Sequence, residues 1–199
     1  MENLLPTPKN IARAVELLHD GGIVCHATET CYGLACDVKN ADAVRRLFAL
    51  KQRPEHMPVS ALFEHVEQAK LFVEWNALAD QLVQEHLPGP LTIIVPLLPE
   101  SGLFPTPLGG DTLGVRVSPH PVAGELVRLF GSPISTTSAN RHGEPNTYAA
   151  KEMADQFEAF AEKPDLILDS GVLERNASSS VVSVVGGNLE MQRKGPLIF

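Results

Sequence analysis

The spacing of apolar residues divides much of the chain into short helices. The first helix is predicted to begin at Thr7, whose hydroxyl can cap it, with Pro8 in its first position. Gly21-Gly22 ends this helix, and Asn40 can cap a second one. The same period of about 3.6 residues predicts further helices over residues 66–73, 78–86, 121–130 and 149–161.

Short apolar runs between these helices are typical of buried strands. They cover residues 23–27, 59–63, 91–98, 113–117, 133–137, 166–168 and 181–185. Gly186-Gly187-Asn188 predicts a hairpin turn into a last strand over 189–192. Residues 28–33 are expected to form a polar loop. Residues 99–110, rich in Pro and Gly, are expected to be irregular and are the best candidate for a mobile loop.

Helices and strands that alternate in this way, with a hairpin at the end, predict an α/β fold. The sheet should be twisted and mixed, with parallel and antiparallel strands and flanking helices. No stretch has the composition of a linker, so residues 1–199 are expected to form a single domain.

The charge balance narrows the classes of partner. The net charge is −8, from 16 Lys and Arg against 24 Asp and Glu. This favours a soluble protein and weighs against a nucleic-acid coat or a binder of anionic membranes, which are normally basic. No secretory signal is recognised, and no apolar run approaches the roughly 18 residues of a membrane helix. Cys25, Cys31 and Cys36 lack a CxxC spacing, which predicts free thiols in a reducing cytoplasm.

The common nucleotide and metal motifs are absent. The chain has no GxxxxGK[ST] phosphate loop, no GxGxxG, no HExxH and no GxSxG. Its seven histidines show no metal-ligand spacing, so no metal site built from protein ligands is predicted. A bound nucleotide would have to be held in a less common way.

The second helix is predicted to stop at the sequence KQRP, which places two cations two positions apart. Pro54 disfavours the α conformation at Arg53, so the helix should end by about Gln52. Residues i and i+2 share a side in an extended segment, which would aim Lys51 and Arg53 at one place. Alternatively, both cations merely complement the carbonyl end of the helix.

Four further motifs carry charged or hydroxyl groups. GVRVSPHP places Arg116 inside an apolar strand, and a buried arginine usually has an anionic partner. In SPISTTSANRHGEPN a strand runs into a dense row of hydroxyl and amide groups. ATETCYG follows a buried strand, and MQRKG supplies Arg193 and Lys194. The structural alternatives are a solvent-facing arginine, turns that satisfy their own backbone and a solvated tail.

Together, these separated cations and the two hydroxyl-rich strand ends are what a pocket for a polyanion and a small polar molecule needs. A charge-assisted hydrogen bond contributes about 1.5 to 3 kcal/mol. A few such contacts could hold a triphosphate without a Walker loop.

The sequence resembles the YrdC/TsaC family of threonylcarbamoyl-AMP synthases from Thr7 to about Gly195. The resemblance rests on ATETCYG, KQRP, LPGPLT, TLGVRVSPHP, STTSAN and QRKG in this order. It implies a YrdC-like fold and the synthesis of L-threonylcarbamoyl-adenylate from L-threonine, bicarbonate or CO2, and ATP, with release of pyrophosphate. It also implies partner proteins that transfer the threonylcarbamoyl group to an adenosine of tRNA.

The same resemblance implies roles for eleven residues. Lys51 and Arg53 would be catalytic, binding phosphates and the developing carbamate charge. ATP would be bound by Arg53, Thr112, Ser138, Asn140, Asn146 and Arg193. L-Threonine would be bound by Thr30, Arg116, the Thr136 backbone and Ser179. Mg²⁺ would be held mainly by the phosphates, and no side chain stands out as a dedicated base.

Five residues depart from the family pattern, mostly around the implied threonine pocket. They are Ala27, Met57, Leu62, His142 and Lys194, in place of proline, asparagine, histidine, serine and proline. Three other functions share the fold. A YciO-type paralogue lacks KxR and SxN, both retained here, and the carbamoyl-transferring hydrogenase-maturation proteins carry further domains. An RNA-binding module is disfavoured by the acidic balance, although the Lys and Arg cluster could contact RNA or tRNA.

Overall fold

The computed structural model describes residues 1–199 and contains six α-helices. Two of these helices begin after a residue whose side chain caps the helix N-terminus. Thr7 accepts a hydrogen bond from the backbone N–H of Asn10, and Asn40 accepts from Asp42 and Ala43, as the sequence predicts. The helices are α1 (Pro8–His19), α2 (Ala41–Lys51), α3 (Val66–Ala69), α4 (Ala77–His86), α5 (Pro121–Phe130) and α6 (Ala150–Phe157).

The strands form one ten-stranded sheet. They are β1 (Glu2–Leu4), β2 (Val24–Ala27), β3 (Tyr32–Ala35), β4 (Ser60–Leu62), β5 (Leu91–Pro96), β6 (Thr112–Arg116), β7 (Ile134–Ser138), β8 (Leu166–Leu168), β9 (Ser180–Ser183) and β10 (Glu190–Arg193). Their order is β1-β8-β2-β3-β7-β4-β6-β5-β9-β10. β8 pairs in parallel with β1 and β2, β4 with β6, and β5 with β9, while the remaining neighbours are antiparallel. The predicted mixed α/β sheet is confirmed.

Two strands lie where the sequence analysis predicts none. β1 is a three-residue edge strand, largely exposed, and is too short to show an alternating pattern. β3 begins inside the stretch interpreted as a polar loop. Tyr32 is fully buried and pairs with Ala27 across a tight hairpin. The loop prediction is therefore wrong for Tyr32 and Gly33.

The predicted helix over 66–73 is also shorter than expected. α3 ends at Ala69, because the buried Val73 leaves the helix and forms an antiparallel bridge with Leu97. Residues 99–110 contain no helix or strand, as predicted. The turn at Gly186-Gly187-Asn188 does lead into a last antiparallel strand.

Apolar residues fill both sides of the sheet in three clusters. α2 and α6 cover one cluster, with Leu47 and Phe157 among its members, and α1 and α5 cover another. α3 and α4 pack on β5, β6 and β9. In that part of the sheet the helices cover one face, and the opposite face carries the site described below.

The structure shows the state of the three cysteines and whether any helix could cross a membrane. Cys25, Cys31 and Cys36 are all free and buried, as predicted. Burial raises the pKa of the Cys36 thiol to about 12, so this group stays protonated near neutral pH. None of the helices has both the length and the apolar character that crossing a membrane requires.

His26, in β2, gives the fold a specific sensitivity to acid. Its side chain is fully buried; Nδ1 lies 3.1 Å from the Ala27 carbonyl oxygen, to which it can donate, and Nε2 has no partner. Burial lowers the pKa of His26 to about 4. The unfolded chain takes up this proton near pH 6.5, so the contribution of neutral His26 is present above pH 6.5 and is lost as the pH falls towards 4.

We therefore expect the free energy of unfolding to fall by about 2 kcal/mol between pH 7 and pH 5 through His26 alone. Urea unfolding at the two pH values measures it. His26→Gln should weaken this dependence by about that amount, whereas the same change at the exposed His56 should leave it intact. An unchanged slope in His26→Gln would contradict the assignment.

Candidate functional site

The site is built by the alternation of side chains along the central strands. In β6, Leu113 and Val115 belong to the apolar core against α3 and α4. Thr112, Gly114 and Arg116, at the alternate positions, line a cleft on the opposite face. Hydroxyl residues of β4, β5 and β7 line the same cleft. Half of the sheet therefore presents a polar face instead of a second apolar layer.

Gly114 keeps the floor of the cleft open. It pairs with Ser60 of β4, and a Cβ built on Gly114 would lie 2.3 Å from Ser60 Oγ and 3.0 Å from Thr92 Cγ2. Ser60 Cβ would also be only 2.9 Å away, and Cβ atoms essentially never lie within 3.0 Å of another heavy atom. Glycine is therefore required where the two strands meet beneath the cleft.

The cleft has a volume of about 210 Å³ and a mostly polar lining. It is smaller than the roughly 300–1,000 Å³ typical of pockets for drug-sized ligands, so it suits a small polar molecule. Eight of the eleven residues implied by the resemblance line it: Thr30, Arg53, Thr112, Arg116, Thr136, Ser138, Ser179 and Arg193. The sequence analysis did not select four further lining residues with hydroxyl groups, Ser60, Thr92, Thr137 and Ser178.

Three arginines from distant parts of the chain meet in this cleft. Burial, and then the nearby charge of Arg193, lower the pKa of Arg53. Burial and then the charge of Arg116 lower the pKa of Arg193. Like charges held together in a partly buried cleft favour the binding of an anion, which offsets both effects.

Backbone carbonyls fix the directions of two of these guanidinium groups. Arg53 donates from Nε to the Met57 carbonyl oxygen and from Nη2 to that of Pro58, each at 2.7 Å. Arg193 donates to the carbonyl and the hydroxyl oxygen of Ser179, each at 3.0 Å. Each of these arginines keeps further donors for a ligand, since a guanidinium carries five N–H groups.

Lys51 is placed differently from the sequence-based expectation. It is the last residue of α2, and Gln52 adopts a left-handed conformation with φ of 51°, so Lys51 and Arg53 do not share a side of one extended segment. Lys51 is 2% exposed and does not line the cleft. Its ammonium group donates to the Ser138 carbonyl, to the Asn140 carbonyl at 2.6 Å and to Asn140 Oδ1 at 3.2 Å.

These contacts make Lys51 a support for the turn that follows β7. A protonated ammonium has three donors, and three oxygens surround this one. Burial, followed by the charge of Arg53, lowers the pKa of Lys51 to about 7. Lys51 therefore affects the cleft only indirectly, by supporting the turn whose residue Ser138 lines the cleft.

Asn140 and Asn146 also lie behind the lining and not in it. Asn140 accepts a 2.5 Å hydrogen bond from Ser138 Oγ and donates to the Glu144 carbonyl. Asn146 donates to Ser178 Oγ at 2.8 Å. In this structure both asparagines orient hydroxyl residues that line the cleft.

Arg116 has an anionic partner that the sequence analysis did not identify. Its Nη2 donates to Glu29 Oε1 at 2.6 Å and to Thr30 Oγ1 at 2.8 Å. Ser118 Oγ donates to the other oxygen of Glu29. The carboxylate of ATETCYG was the available signal, because a buried arginine calls for an acid nearby.

The residues that depart from the family pattern do not line the cleft. Leu62 is fully buried in the cluster under α1 and α5, so its side chain belongs to the core. Met57 contributes its backbone carbonyl to Arg53, and the backbone N–H of His142 donates to the Lys51 carbonyl. The cleft itself is therefore built without these side chains.

The protein offers no cluster of three or more His, Cys, Asp or Glu side chains that could hold a metal ion. The cleft is lined by hydroxyls and cations instead. Any cation bound there would have to be accompanied by anionic groups of a ligand.

Comparison with known proteins places the chain in a family. The family model Sua5_yciO_yrdC, described as "Telomere recombination", matches residues 16–195. A Vibrio cholerae protein named Threonylcarbamoyl-AMP synthase is 38% identical over 154 residues, which are 75% of this chain and 80% of that protein. A Chromobacterium violaceum protein of the same name is 33% identical over 188 residues, 93% of this chain and 94% of that protein.

Solved structures of Sua5 from P. abyssi have the same fold. A double variant superposes with a TM-score of 0.88 at 28% identity, covering 98% of this chain and 60% of that chain. Its complex with L-threonine gives a TM-score of 0.81 at 29% identity, covering 92% of this chain and 53% of that chain. This chain thus spans little more than half the length of Sua5. With a family model matched from residue 16 to 195 and relatives aligned over most of its length, the chain belongs to the Sua5/YciO/YrdC family.

Proposed function

We propose that this protein is an L-threonylcarbamoyladenylate synthase, a nucleotidyltransferase that joins L-threonine, bicarbonate or CO2, and ATP. The observation that carries the proposal is the meeting of Arg53, Arg116 and Arg193 in one polar cleft. Curated relatives of similar length bear the name of this activity, and a structural relative has been solved with L-threonine. A cleft with three cations suits a reaction in which the amino acid carboxylate, the carbamate intermediate, ATP and pyrophosphate are all anionic.

The proposed chemistry has two bond-forming steps. The neutral amine of L-threonine attacks the carbon of CO2 and loses a proton to the solvent, which leaves a carbamate. A carbamate oxygen then attacks the α-phosphorus of ATP, the bond to the bridging oxygen breaks, and pyrophosphate leaves. Negative charge builds up on the transferred phosphoryl group and on the leaving group, so fixed cations and donors are the main requirement.

We assign the amino-acid end of the cleft to Arg116. Its guanidinium would hold the threonine carboxylate, with Thr30, the Thr136 backbone and Ser179 as further contacts. These residues line the cleft together, and Arg116 and Thr30 are already joined by a hydrogen bond. A guanidinium suits a carboxylate because its fixed positive charge and its N–H donors form charge-assisted hydrogen bonds.

We assign the nucleotide end to Arg53 and Arg193, with Thr112 and Ser138 as neutral polar contacts. Two unit charges about 4 Å apart interact by roughly 4 kcal/mol at an effective dielectric constant near 20, so each arginine can make a large contribution at a phosphate. Asn140, Asn146 and Lys51 would act by holding the hydroxyl residues of the cleft, through the contacts described above. Mg²⁺ would be bound mainly by the phosphates, in keeping with the hydroxyl-rich lining.

The wider setting is also part of the proposal. Residues 1–199 would act as a single domain, in line with one continuous ten-stranded sheet. The product is a reactive mixed anhydride, so partner proteins would take it up and transfer its threonylcarbamoyl group to tRNA in the cytoplasm.

Pyrophosphate release tests the function. Folded protein with ATP, Mg²⁺, bicarbonate and L-threonine should release pyrophosphate, and omission of either L-threonine or bicarbonate should remove that release. Mass spectrometry should detect threonylcarbamoyl-adenylate in the complete mixture alone. Pyrophosphate release that does not depend on L-threonine would reject the function. So would the absence of release from protein that circular dichroism shows to be folded.

A further inference from the structure

The carboxylate of Glu29 lies partly buried against the arginine that we assign to the amino acid. The side chains of Glu29 and Arg116 are 17% and 10% exposed, and their closest nitrogen and oxygen are 2.6 Å apart. Ser118 donates its hydroxyl hydrogen to the second carboxylate oxygen. Both oxygens of Glu29 are therefore engaged, and the pair is held with little access to water.

Two other segments of the chain hold Glu29 in place. Ser118 Oγ itself accepts a 3.2 Å hydrogen bond from the backbone of His120, just before α5. The Asn176 side chain donates to the Glu29 carbonyl oxygen at 3.2 Å. Glu29 thus belongs to a defined framework, and its contact with Arg116 is more than a surface ion pair.

This contact uses only part of Arg116. The two hydrogens of Nη2 go to Glu29 and Thr30. Nε is buried and has no hydrogen-bond partner. Nη1 also makes no hydrogen bond within the protein but is not buried, so Arg116 keeps an accessible, unused donor on a residue that lines the cleft.

We propose that Glu29 is a positioning residue of the amino-acid subsite. It holds Arg116 through Nη2, so that Nη1, which makes no hydrogen bond within the protein and is not a buried atom, receives the carboxylate of the substrate. This inference rests on the proposed function and adds a residue to it. The opposite arrangement is a plug, in which Glu29 occupies the place of the substrate carboxylate and must leave before the substrate binds.

The sign of one kinetic change separates the two arrangements. Glu29→Gln keeps the size of the side chain and removes its charge. If Glu29 positions Arg116, the KM for L-threonine should rise about 10-fold or more, the loss expected for one charge-assisted hydrogen bond. The KM for ATP should change less than about 3-fold, and Glu29→Asp, which keeps the charge, should recover part of the loss.

Glu125→Gln is the matched control, because Glu125 forms an exposed ion pair with Arg128 on α5. Its KM values should equal those of the unaltered protein. If Glu29→Gln does not fold, Ser118→Ala removes the second anchor of the carboxylate and should raise the KM for L-threonine in the same direction by a smaller factor.

A lower KM for L-threonine in Glu29→Gln would establish the plug and overturn the proposal, and so would an unchanged KM. Equal increases in the KM values for L-threonine and ATP would show a general structural role and would also overturn it. Absence of activity in the unaltered protein would instead reject the proposed function, so the two failures are distinguishable.

Discussion

Arg116→Lys is expected to lower kcat/KM for L-threonine by about 100-fold or more, with a much smaller effect on the KM for ATP. Lysine keeps the positive charge but lacks the planar fork, so it cannot hold Glu29, Thr30 and a carboxylate together. The loss of one or two charge-assisted hydrogen bonds corresponds to about 3 kcal/mol. Steady-state kinetics with each substrate varied in turn measures the effect.

Arg128→Lys is the control for this change. Arg128 also pairs with a glutamate, but both side chains are about half exposed on α5, and exposed pairs contribute little. Its kinetics should be unaltered. A comparable loss in both variants, or a loss in Arg116→Lys that falls on ATP alone, would contradict the placement of the amino acid.

Arg53→Ala is expected to lower kcat/KM for ATP by about 100-fold. Arg53 lines the cleft, and the Met57 and Pro58 carbonyls fix the direction of its guanidinium. Loss of its contacts with the phosphates corresponds to about 3 kcal/mol. The same kinetic assay, with ATP varied, measures the change.

Arg45→Ala removes an arginine from the exposed face of the same helix that precedes Arg53. Arg45 pairs only with Asp42 at the surface, so its removal should cost little activity. Equal losses in Arg45→Ala and Arg53→Ala would show that the site has been misplaced.

The helices were predictable because their signals are local. Thr7 and Asn40 cap their helices with their own side chains, and the apolar spacing needs no knowledge of the rest of the chain. β1 and the end of α3 could not be predicted in this way. β1 exists because it pairs with β8, 164 positions further on, and α3 stops early because Val73 pairs with Leu97.

The site was predictable where the chemistry is carried by residue type. Arg53, Arg116 and Arg193 were selected as cations in an acidic chain, and the structure brings them to one cleft. The place of Lys51 was not predictable, because it depends on the left-handed turn at Gln52 and on carbonyls of a distant strand end. Glu29 was overlooked although an arginine inside an apolar strand called for an acid.

The alternation in TLGVR held more information than the sequence analysis used. Its small and polar positions, Thr112, Gly114 and Arg116, all face the cleft, and its apolar positions face the core. A strand of this kind with one polar face would have located the site on the sheet before any contact was known.

The most direct test is a crystal structure with a non-hydrolysable ATP analogue and L-threonine. We expect the phosphate chain to contact Arg53 and Arg193, and the threonine carboxylate to accept hydrogen bonds from Arg116 in the same cleft. Phosphates bound elsewhere, or a threonine carboxylate that does not touch Arg116, would contradict the assignment of this polar sheet face as the site of adenylate formation.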